Sequence, residues 1–303
     1  MEQTRQYPPV RRRRRRRRRL NYRFLVLLAV LAAGIALVIW AVSGNDAPEP
    51  SPTDPVRTTQ APTDPTEPTP PPTEPPPPTA EETISAFAAQ HGLTLEAYPE
   101  KLIELYKRNP EARDFVLNYP LEYGKEHEID ISGHADEEGV PLFIQWDPRW
   151  GYQDYVGSIG GLAACGPTCM SMAVYHFTRD PAMHPGYMME FAASNRNYAN
   201  ELVITQWAFF NDGAKELGLN SRELTAEELA SESKIAAMLD SGKLVVASMG
   251  PGVFTEQGHF ILLVGYEDGK FKINDPNSRE KSAKLWEFEE FSDQIKMMWA
   301  LSE

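Results

Sequence analysis

The stretch that most constrains the fold is GGLAACGPTCMSMAVYHF, residues 160–177, in which a glycine-rich approach gives way to an apolar run at a cysteine. Pro167 suits the first turn of a helix, because the proline ring sets the backbone φ in advance. The apolar side chains recur three or four positions apart, at Met170, Ala173, Val174 and Phe177. A helix is therefore predicted to begin at or just after Cys165. The unpaired amides and the positive dipole end of such a helix favour a thiolate, which makes Cys165 a candidate nucleophile.

Cys165 also has a plainer interpretation as a small buried residue, and two later motifs favour chemistry instead. His259 heads the apolar run HFILLVGY, and the next run, KFKIN, is followed by Asp275. Asp268-Gly269 lies between the runs and is typical of a tight hairpin turn, so we expect antiparallel neighbours with His259 and Asp275 near the same open end. Nine residues on one side of the turn against six on the other leave a mismatch of about three, which a bulge could absorb.

This combination resembles the C39-like group of papain-fold cysteine peptidases. The resemblance rests on CGPTC, on GHFILLVGY and on a strand that ends in Asp275-Pro276, and it covers about residues 140–301, roughly half of the chain. It implies an α+β fold of the papain-like type, in which the nucleophile helix packs on an antiparallel sheet. It also implies a Cys165-His259-Asp275 triad in a cysteine peptidase, a thiol hydrolase of peptide (amide) bonds. No metal or cofactor is expected.

The resemblance further implies a glutamine that donates its side-chain amide to the oxyanion, beside the backbone amide of the nucleophile. We assign this role to Gln145, in the segment VPLFIQ, and keep Gln153 as the alternative. The group that orients the histidine is placed at Asp275, with Asn274 and Asn277 as alternatives.

Other function classes share parts of this pattern and stay open. A catalytically silent binding module could keep the fold and use an aromatic groove around Trp146, Trp150 and Tyr155. A peptidoglycan amidase or endopeptidase of the NlpC/P60 type uses the same order of groups, and a transglutaminase-like transfer reaction shares the triad. The expected partner is accordingly a peptide or protein substrate, cell-wall peptide included.

The amino-terminal part of the chain predicts a membrane anchor. An unbroken run of nine arginines, residues 11–19, precedes nineteen uncharged residues, Phe24 to Val42. About 20 apolar residues span a bilayer as a helix, and arginines beside a span stay in the cytoplasm. We therefore predict a cytoplasmic tail at residues 1–23, a single transmembrane helix at 24–42 and an extracellular remainder at a bacterial cell surface. A cleaved signal peptide is the alternative, but its apolar region is only about 7 to 15 residues long.

The remainder of the chain is acidic and begins with a stalk. Residues 46–303 hold 19 Lys and Arg against 42 Asp and Glu, a net charge of −23, which argues against nucleic-acid binding. Residues 43–79 are rich in Pro, Thr, Asp and Glu and include fourteen of the 26 prolines, so they cannot form a core. We predict a disordered, extended stalk that holds the following domain on the order of 100 Å from the membrane.

Order is predicted to return in a small helical unit, residues 80–133. A capping box at 79–82 starts its first helix, a second helix is expected over 100–107, and Asn109-Pro110-Glu111 starts a third. The unit is small for a domain that folds alone, so it should pack on the next domain or on a partner. It could be a propeptide-like cap over the cleft or a structural appendage. The peptidase-like domain is placed at residues 134–303. Inside it we expect a first strand at 140–145 and helices at 204–217 and 225–239.

Three further residues could be mistaken for catalytic or metal-binding groups. Cys169 lies on the same helix face as Cys165 and is expected to pack in the core, because a disulfide would silence the nucleophile and no Cys or His cluster supplies further metal ligands. His176 lies some three turns along the helix, too far from Cys165 to touch it. His184 stands beside a proline in a loop and is expected at the surface.

Overall fold

A six-stranded antiparallel sheet is the centre of the fold in the computed structural model, which describes residues 77–303. Its strands lie side by side in the order β5 (Asn220–Glu223), β10 (Ile295–Ser302), β6 (Leu244–Met249), β7 (His259–Glu267), β8 (Lys270–Asn274) and β9 (Leu285–Trp286). Two short ribbons pair β1 (Asp154–Tyr155) with β2 (Ser158–Ile159), and β3 (Ala199–Asn200) with β4 (Ile204–Thr205). The predicted α+β class agrees with this architecture.

Most of the helices come before the sheet strands in the chain, and three lie between those strands. The helical unit consists of α1 (Ala80–Gln90), α2 (Glu100–Arg108) and α3 (Arg113–Glu122). The later helices are α4 (Pro148–Gly151), α5 (Gly160–Ala163), α6 (Cys165–Thr178), α7 (Pro185–Ser194), α8 (Ala214–Glu216), α9 (Ala226–Leu229), α10 (Glu232–Asp240) and α11 (Arg279–Ala283). Single 3₁₀ turns lie at Leu95–Ala97, Pro110–Ala112, Ser132–His134, Pro181–Met183, Phe288–Glu290 and Ser292–Gln294, and a π-helical turn at Phe209–Gly213.

The predicted cytoplasmic tail, transmembrane helix and most of the stalk fall on residues 1–76, outside the described residues. Within residues 77–303, none of the helices combines the length and the apolar character that a bilayer crossing needs.

The sheet is buried on both faces, because β6 alternates between two cores. Leu244 and Val246 belong to a cluster that contains α6, whereas Val245, Ala247 and Met249 belong to a second cluster that contains α10. Successive side chains of a strand point to opposite faces, so a strand between two cores is apolar throughout. This alternation explains the unbroken apolar runs of the sequence.

The β7–β8 hairpin brings His259 and Asp275 to one end of the sheet. Asp268 and Gly269 in its turn both have positive φ, 51° and 75°, the backbone conformation that an Asp-Gly hairpin turn requires. The ladder shifts at Val264, where one extra residue of β7 lies opposite β8. A bulge therefore takes up part of the length difference between the two arms of the hairpin.

The helical unit shares a hydrophobic core with the residues that follow it. Apolar side chains of α1, α2 and α3 cluster with Trp146, and the Phe115 ring stacks on Tyr152 with 4.4 Å between ring centroids. The Tyr152 hydroxyl donates a hydrogen bond to the Phe115 carbonyl at 2.9 Å. Residues 77–303 accordingly form one compact unit, and the boundary near residue 134 stays a prediction.

The start of the helical unit follows its sequence signals closely. Thr79 Oγ1 accepts a hydrogen bond from the Glu82 amide at 3.2 Å, and the Glu82 carboxylate accepts one from the Thr79 amide at 2.8 Å. This reciprocal pair is the predicted capping box. The third helix starts later than predicted, since Asn109 caps a 3₁₀ turn, Pro110–Ala112, before α3 begins.

The expected first strand at residues 140–145 is wrong. The segment pairs with no strand of the described fold, and its backbone is held by other groups. Asn274 Nδ2 donates to the Pro141 carbonyl at 3.0 Å, and the Gln145 amide donates to the Pro276 carbonyl at 2.7 Å. Because Pro141 has no N–H to give to a ladder, its apolar neighbours are buried without forming a strand.

The two expected helices at 204–217 and 225–239 are only partly right. Ile204 and Thr205 pair with β3 as β4, so the helical part of the first stretch is the π-helical turn and α8. The second stretch is divided into α9 and α10, with the predicted capping box present at Thr225.

The contact between α5 and the helical unit gives a stability prediction. A Cβ added at Gly161 would collide with the Phe115 ring and approach Trp146 Cβ to 3.2 Å. We expect Gly161→Ala to lower the free energy of unfolding by about 1–3 kcal/mol through overpacking. Gly133→Ala is the control, because a Cβ there meets nothing within 4 Å. Chemical denaturation of the two variants measures the difference, and equal stabilities would contradict the packing described.

Candidate active site

Cys165 is the first residue of α6, and its half-buried side chain is a free thiol. It lines a cavity of about 630 Å³ and a second cavity of about 410 Å³, both of which also reach His259. Gly166 lets β4 approach the start of the helix, since a Cβ there would come within 2.7 Å of Thr205 Cγ2. The thiol thus lies at a helix amino terminus that opens on a cleft, where the helix dipole favours negative charge.

His259 and Asp275 form a short buried contact. His259 Nε2 lies 2.6 Å from Asp275 Oδ1, and the two residues are 8% and 0% exposed. Asp275 Oδ1 also accepts a hydrogen bond from the Asn277 amide at 2.8 Å, while the Asp275 amide donates to Ser282 Oγ at 2.8 Å. The carboxylate is therefore held by its own turn as well as by the histidine.

The His259 ring links Asp275 to Cys165. Because Nε2 is taken by Asp275, Nδ1 is the ring nitrogen left for the Cys165 side chain, which lines the same two cavities as His259. Burial on its own lowers the pKa of His259, but the charge of Asp275, the hydrogen bond to Asp275 and the Cys165 side chain outweigh burial. The net result is a pKa of His259 above its ordinary value, which favours an imidazolium between a carboxylate and a sulfur.

Gln145 lies at the same cleft. It lines the 410 Å³ cavity together with Cys165 and His259. Its side chain is buried, and Nε2 donates to the Gly161 carbonyl at 2.9 Å. An amide nitrogen carries two hydrogens, so one N–H remains for a further acceptor. The alternative, Gln153, lines neither cavity, because its amide faces the Gly186 carbonyl and the Glu190 carboxylate, each at 3.3 Å.

The two asparagines considered as orienting groups face elsewhere. Asn274 Nδ2 donates to the Pro141 carbonyl, and the Asn277 side chain meets Asn109 Nδ2 at 3.4 Å. The structure thus brings together Cys165, His259 and Asp275.

Three other side chains singled out from the sequence are occupied by structural contacts. Cys169 is fully buried in the core, where its thiol donates to the Phe260 carbonyl at 3.4 Å and burial raises its pKa well above the ordinary value. His176 Nδ1 lies 2.9 Å from the Gly139 carbonyl. His184 is half-buried rather than at the surface, caps α7 through the Tyr187 amide at 3.0 Å, and has its pKa lowered by burial.

The aromatic groove suggested by the sequence does not exist as such. Trp146, Trp150 and Tyr155 are 5%, 1% and 0% exposed and belong to the cores. The indole of Trp150 donates to the Ile144 carbonyl at 2.8 Å, and the Tyr155 hydroxyl lies 2.8 Å from Thr205 Oγ1. These rings are packed in the cores and line neither of the two cavities beside Cys165.

Sequence reasoning missed the part of the site that the helical unit supplies. Arg108 and Glu111 line the cavities around Cys165 and His259. The helix-start signal at Asn109-Pro110-Glu111 does not indicate a role in the cleft, and the contacts that Glu111 makes join residues far apart in the chain. Only their position in the folded molecule shows them to belong to the cleft.

The carboxyl-terminal part of the chain matches a known protein family. The model of the Peptidase_C39 like family matches residues 137–302, more than half of the chain. The chain belongs to the Peptidase_C39 like family. Among solved structures, the chain is similar to the peptidase domain of Streptococcus ComA, a bi-functional ABC transporter involved in a quorum sensing pathway (17% identity, 46% of this chain and 91% of that chain, TM-score 0.34). A putative C39-like peptidase from Bacillus anthracis is similar as well (15% identity, 55% and 98% coverage, TM-score 0.33). No curated protein matches this C39-like chain.

The different surroundings of its two thiols give a prediction for this C39-like protein. We expect iodoacetamide to label Cys165 on the order of 100-fold faster than Cys169 at neutral pH, because Cys165 borders a cavity beside a histidine whereas Cys169 is buried and its pKa is raised. Mass spectrometry of quenched time points measures both rates in the native protein. Slow labelling at equal rates would contradict the site.

Proposed function

We propose that the protein is a cysteine peptidase that cleaves peptide (amide) bonds with Cys165 as nucleophile, His259 as general acid and base, and Asp275 as the group that orients the histidine. The observation that supports this most strongly is the 2.6 Å contact between His259 Nε2 and Asp275 Oδ1 in a buried site that opens on Cys165. Membership of the Peptidase_C39 like family supports a peptidase in general terms.

The reaction follows from these roles. The Cys165 proton passes to His259 Nδ1, and the thiolate attacks the carbonyl carbon of the scissile amide. The imidazolium returns the proton to the leaving amine as the carbon–nitrogen bond breaks, which leaves a thioester on Cys165. His259 then takes a proton from water, the hydroxide attacks the thioester carbonyl, and Cys165 leaves as a thiolate beside the imidazolium. Asp275 keeps its charge throughout and holds the ring in one orientation.

The proposed oxyanion hole consists of the backbone amide of Cys165 and the free side-chain N–H of Gln145. The first amides of a helix have no partner within the helix, so the Cys165 amide is available to a developing oxyanion. Gln145 is held in place from both ends, because its side chain donates to the Gly161 carbonyl and its backbone amide donates to the Pro276 carbonyl. A donor fixed in this way loses little freedom when the oxyanion forms.

We further propose that the peptidase is carried outside a bacterial cell by the apolar segment at residues 24–42 and the proline-rich stalk at 43–79. The support comes from the sequence alone: the arginine run before the apolar segment and the absence of charge within it. In this setting the substrates would be peptides, proteins or the peptide part of the cell wall. Protease accessibility of the carboxyl-terminal domain on intact cells tests the orientation.

Substitution of the site residues tests the chemistry. Wild-type protein is incubated with a mixture of peptides and with purified cell wall, and products that Cys165→Ala does not make are identified by mass spectrometry. We expect His259→Ala to abolish turnover and Gln145→Ala to lower kcat on the order of 10² to 10³-fold. Products from cell wall alone would favour an amidase or endopeptidase of the NlpC/P60 type. If the wild type forms no product and its thiol labels slowly, the protein is a binding module and the proposal fails.

The pH dependence of turnover tests the role of Asp275. Asp275→Asn removes the negative charge that stabilises the imidazolium, so the pKa of His259 falls. Because the imidazolium must protonate the leaving amine, the alkaline limb of the pH–rate profile should move to lower pH, and kcat/KM should fall on the order of 10² to 10⁴-fold. Asp136→Asn is the control, since Asp136 is exposed. An unchanged alkaline limb in Asp275→Asn would exclude Asp275 from the triad.

A further inference from the structure

The helical unit reaches the turn that carries Asp275, which we call the Asp275 turn (residues 275–278). This turn is closed on itself, because the Ser278 amide donates to the Asp275 carbonyl at 3.2 Å. Glu111 accepts three hydrogen bonds at its edge, from Ser278 Oγ at 2.6 Å and from the amides of Arg279 at 2.9 Å and Glu280 at 3.3 Å. A single carboxylate of the helical unit therefore binds the end of the turn.

Asn109, which lies two residues before Glu111 in the chain, binds the same turn. Its Nδ2 donates to the Asn277 carbonyl at 2.8 Å, although the two residues are 168 positions apart. Asn109 Oδ1 meanwhile accepts from the Glu111 backbone amide at 3.0 Å, so the Asn109 side chain joins the backbone of the helical unit to the turn. Asn109 is buried, and a buried amide of this kind keeps its partners because an unpaired polar group is costly away from water.

The opposite side of the Asp275 turn rests on the peptidase domain. The Pro276 carbonyl accepts from the Gln145 amide at 2.7 Å, and the Asn277 carbonyl also accepts from Trp146 Nε1 at 3.1 Å. The turn is thus held between the domain and the helical unit. Without its contacts to the helical unit, the turn would be free to move. Asp275 would then tilt away from His259, because the Asn277 amide that donates to Asp275 Oδ1 moves with the turn.

We propose that Asn109 and Glu111 are positioning residues for Asp275, and that the helical unit is a permanent part of the active site rather than a removable propeptide. This inference rests on the proposed function. An inhibitory propeptide fills the cleft that it protects, whereas here Cys165 is only half-buried and borders two cavities, with α2 and the residues after it as one wall. Removal of the helical unit would expose the Asp275 turn and weaken the triad.

The test compares Glu111→Ala, Glu111→Gln and Asn109→Ala in the full chain. Two properties are measured: the pH dependence of Cys165 labelling by iodoacetamide, and the pKa of His259 from an NMR titration of its ring. We expect Glu111→Ala to slow the labelling of Cys165 at neutral pH about 2- to 10-fold, which corresponds to the net free energy of one hydrogen bond. The pKa of His259 should fall, as it is expected to fall in Asp275→Asn. Glu111→Gln keeps one acceptor oxygen and should show a smaller effect in the same direction.

Glu82→Gln is the matched control. It weakens the capping box of α1 and so destabilises the same helical unit, but Glu82 does not touch the Asp275 turn. Its labelling profile and the pKa of His259 should stay as in the wild type. If Glu111→Ala behaves like Glu82→Gln, the contact is only structural and the proposal is overturned. Should Glu111→Ala fail to fold, Glu111→Gln and Asn109→Ala carry the same comparison.

The two readouts separate this inference from the proposed function. Slow labelling of Cys165 in the wild type, with a His259 pKa that still depends on Glu111, would keep the positioning role and reject the peptidase. Fast labelling that is indifferent to both Glu111 and Asn109 would keep the peptidase and reject the positioning role.

A second, independent observation concerns charge in the 630 Å³ cavity. Lys101, Arg108 and Lys296 line it, against the single carboxylate of Glu104. None of these three cations forms an ion pair or a hydrogen bond with any residue between 77 and 303, although Asp and Glu outnumber Lys and Arg there by 36 to 18. By contrast Lys107, which lies on α2 with Lys101 and Arg108, forms an ion pair with Glu81. The 630 Å³ cavity therefore has the opposite sign to the domain around it.

The charge pattern points to a substrate peptide with an acidic side chain near the scissile bond, bound by Lys101, Arg108 and Lys296. This second inference also rests on the proposed function. Opposite charges attract a substrate and favour one partner over others even when each exposed pair contributes little affinity. Val203 and Trp207, 59% and 43% exposed, line the same cavity and offer apolar contact to the neighbouring part of the peptide.

Chloromethyl ketones of N-acetylglutamate and N-acetylglutamine test the preference, because they alkylate Cys165 and differ only in side-chain charge. We expect the glutamate reagent to react about 3- to 10-fold faster at low ionic strength, with the advantage reduced by salt. Arg108→Gln should lower this ratio and Glu104→Gln should raise it, while Lys107→Gln, the control, should leave it unchanged. A ratio of one in the wild type overturns the preference alone. Failure of both reagents to alkylate Cys165 overturns the preference and the peptidase together.

Discussion

The contact between His259 and Asp275 is the interaction on which the rest of the site depends. Asp275 is fully buried, and its second oxygen has no hydrogen-bond partner among residues 77–303. A buried carboxylate without a cation is costly by several kcal/mol, so the protein gains by keeping the His259 ring charged. The Cys165 side chain also raises the pKa of His259. The buried contact thus favours a charged imidazole ring at the centre of the site.

The fold serves this contact from three directions. The β7–β8 hairpin delivers His259 and Asp275 to one end of the sheet, and its bulge adjusts the two arms to each other. Helix α6 brings Cys165 to the same place with its amino terminus. The helical unit, through Glu111, closes the outer side of the Asp275 turn. The candidate site therefore lies where elements far apart in the chain meet, with Cys165 half-buried and His259 and Asp275 buried.

Local signals explain what the sequence could predict. The start of α6, the capping box at Thr79 and the Asp-Gly turn each depend on a few neighbouring residues, so they were found with good bounds. The meeting of His259 with Asp275 followed because both belong to one hairpin. Long-range contacts have no such local signal in the sequence. The segment at 140–145 is apolar like a strand but is held by Asn274 and Pro276, and Glu111 looked like an ordinary first-turn carboxylate of a helix.

The most direct test of the account is the pKa of His259, read from an NMR titration of its ring in the wild type and in Asp275→Asn. The account predicts a pKa above the ordinary value in the wild type that falls in Asp275→Asn, because the charge of the buried carboxylate beside the ring is then lost. A His259 pKa at or below the ordinary value in the wild type, or one that Asp275→Asn leaves unchanged, would contradict the charge-coupled site.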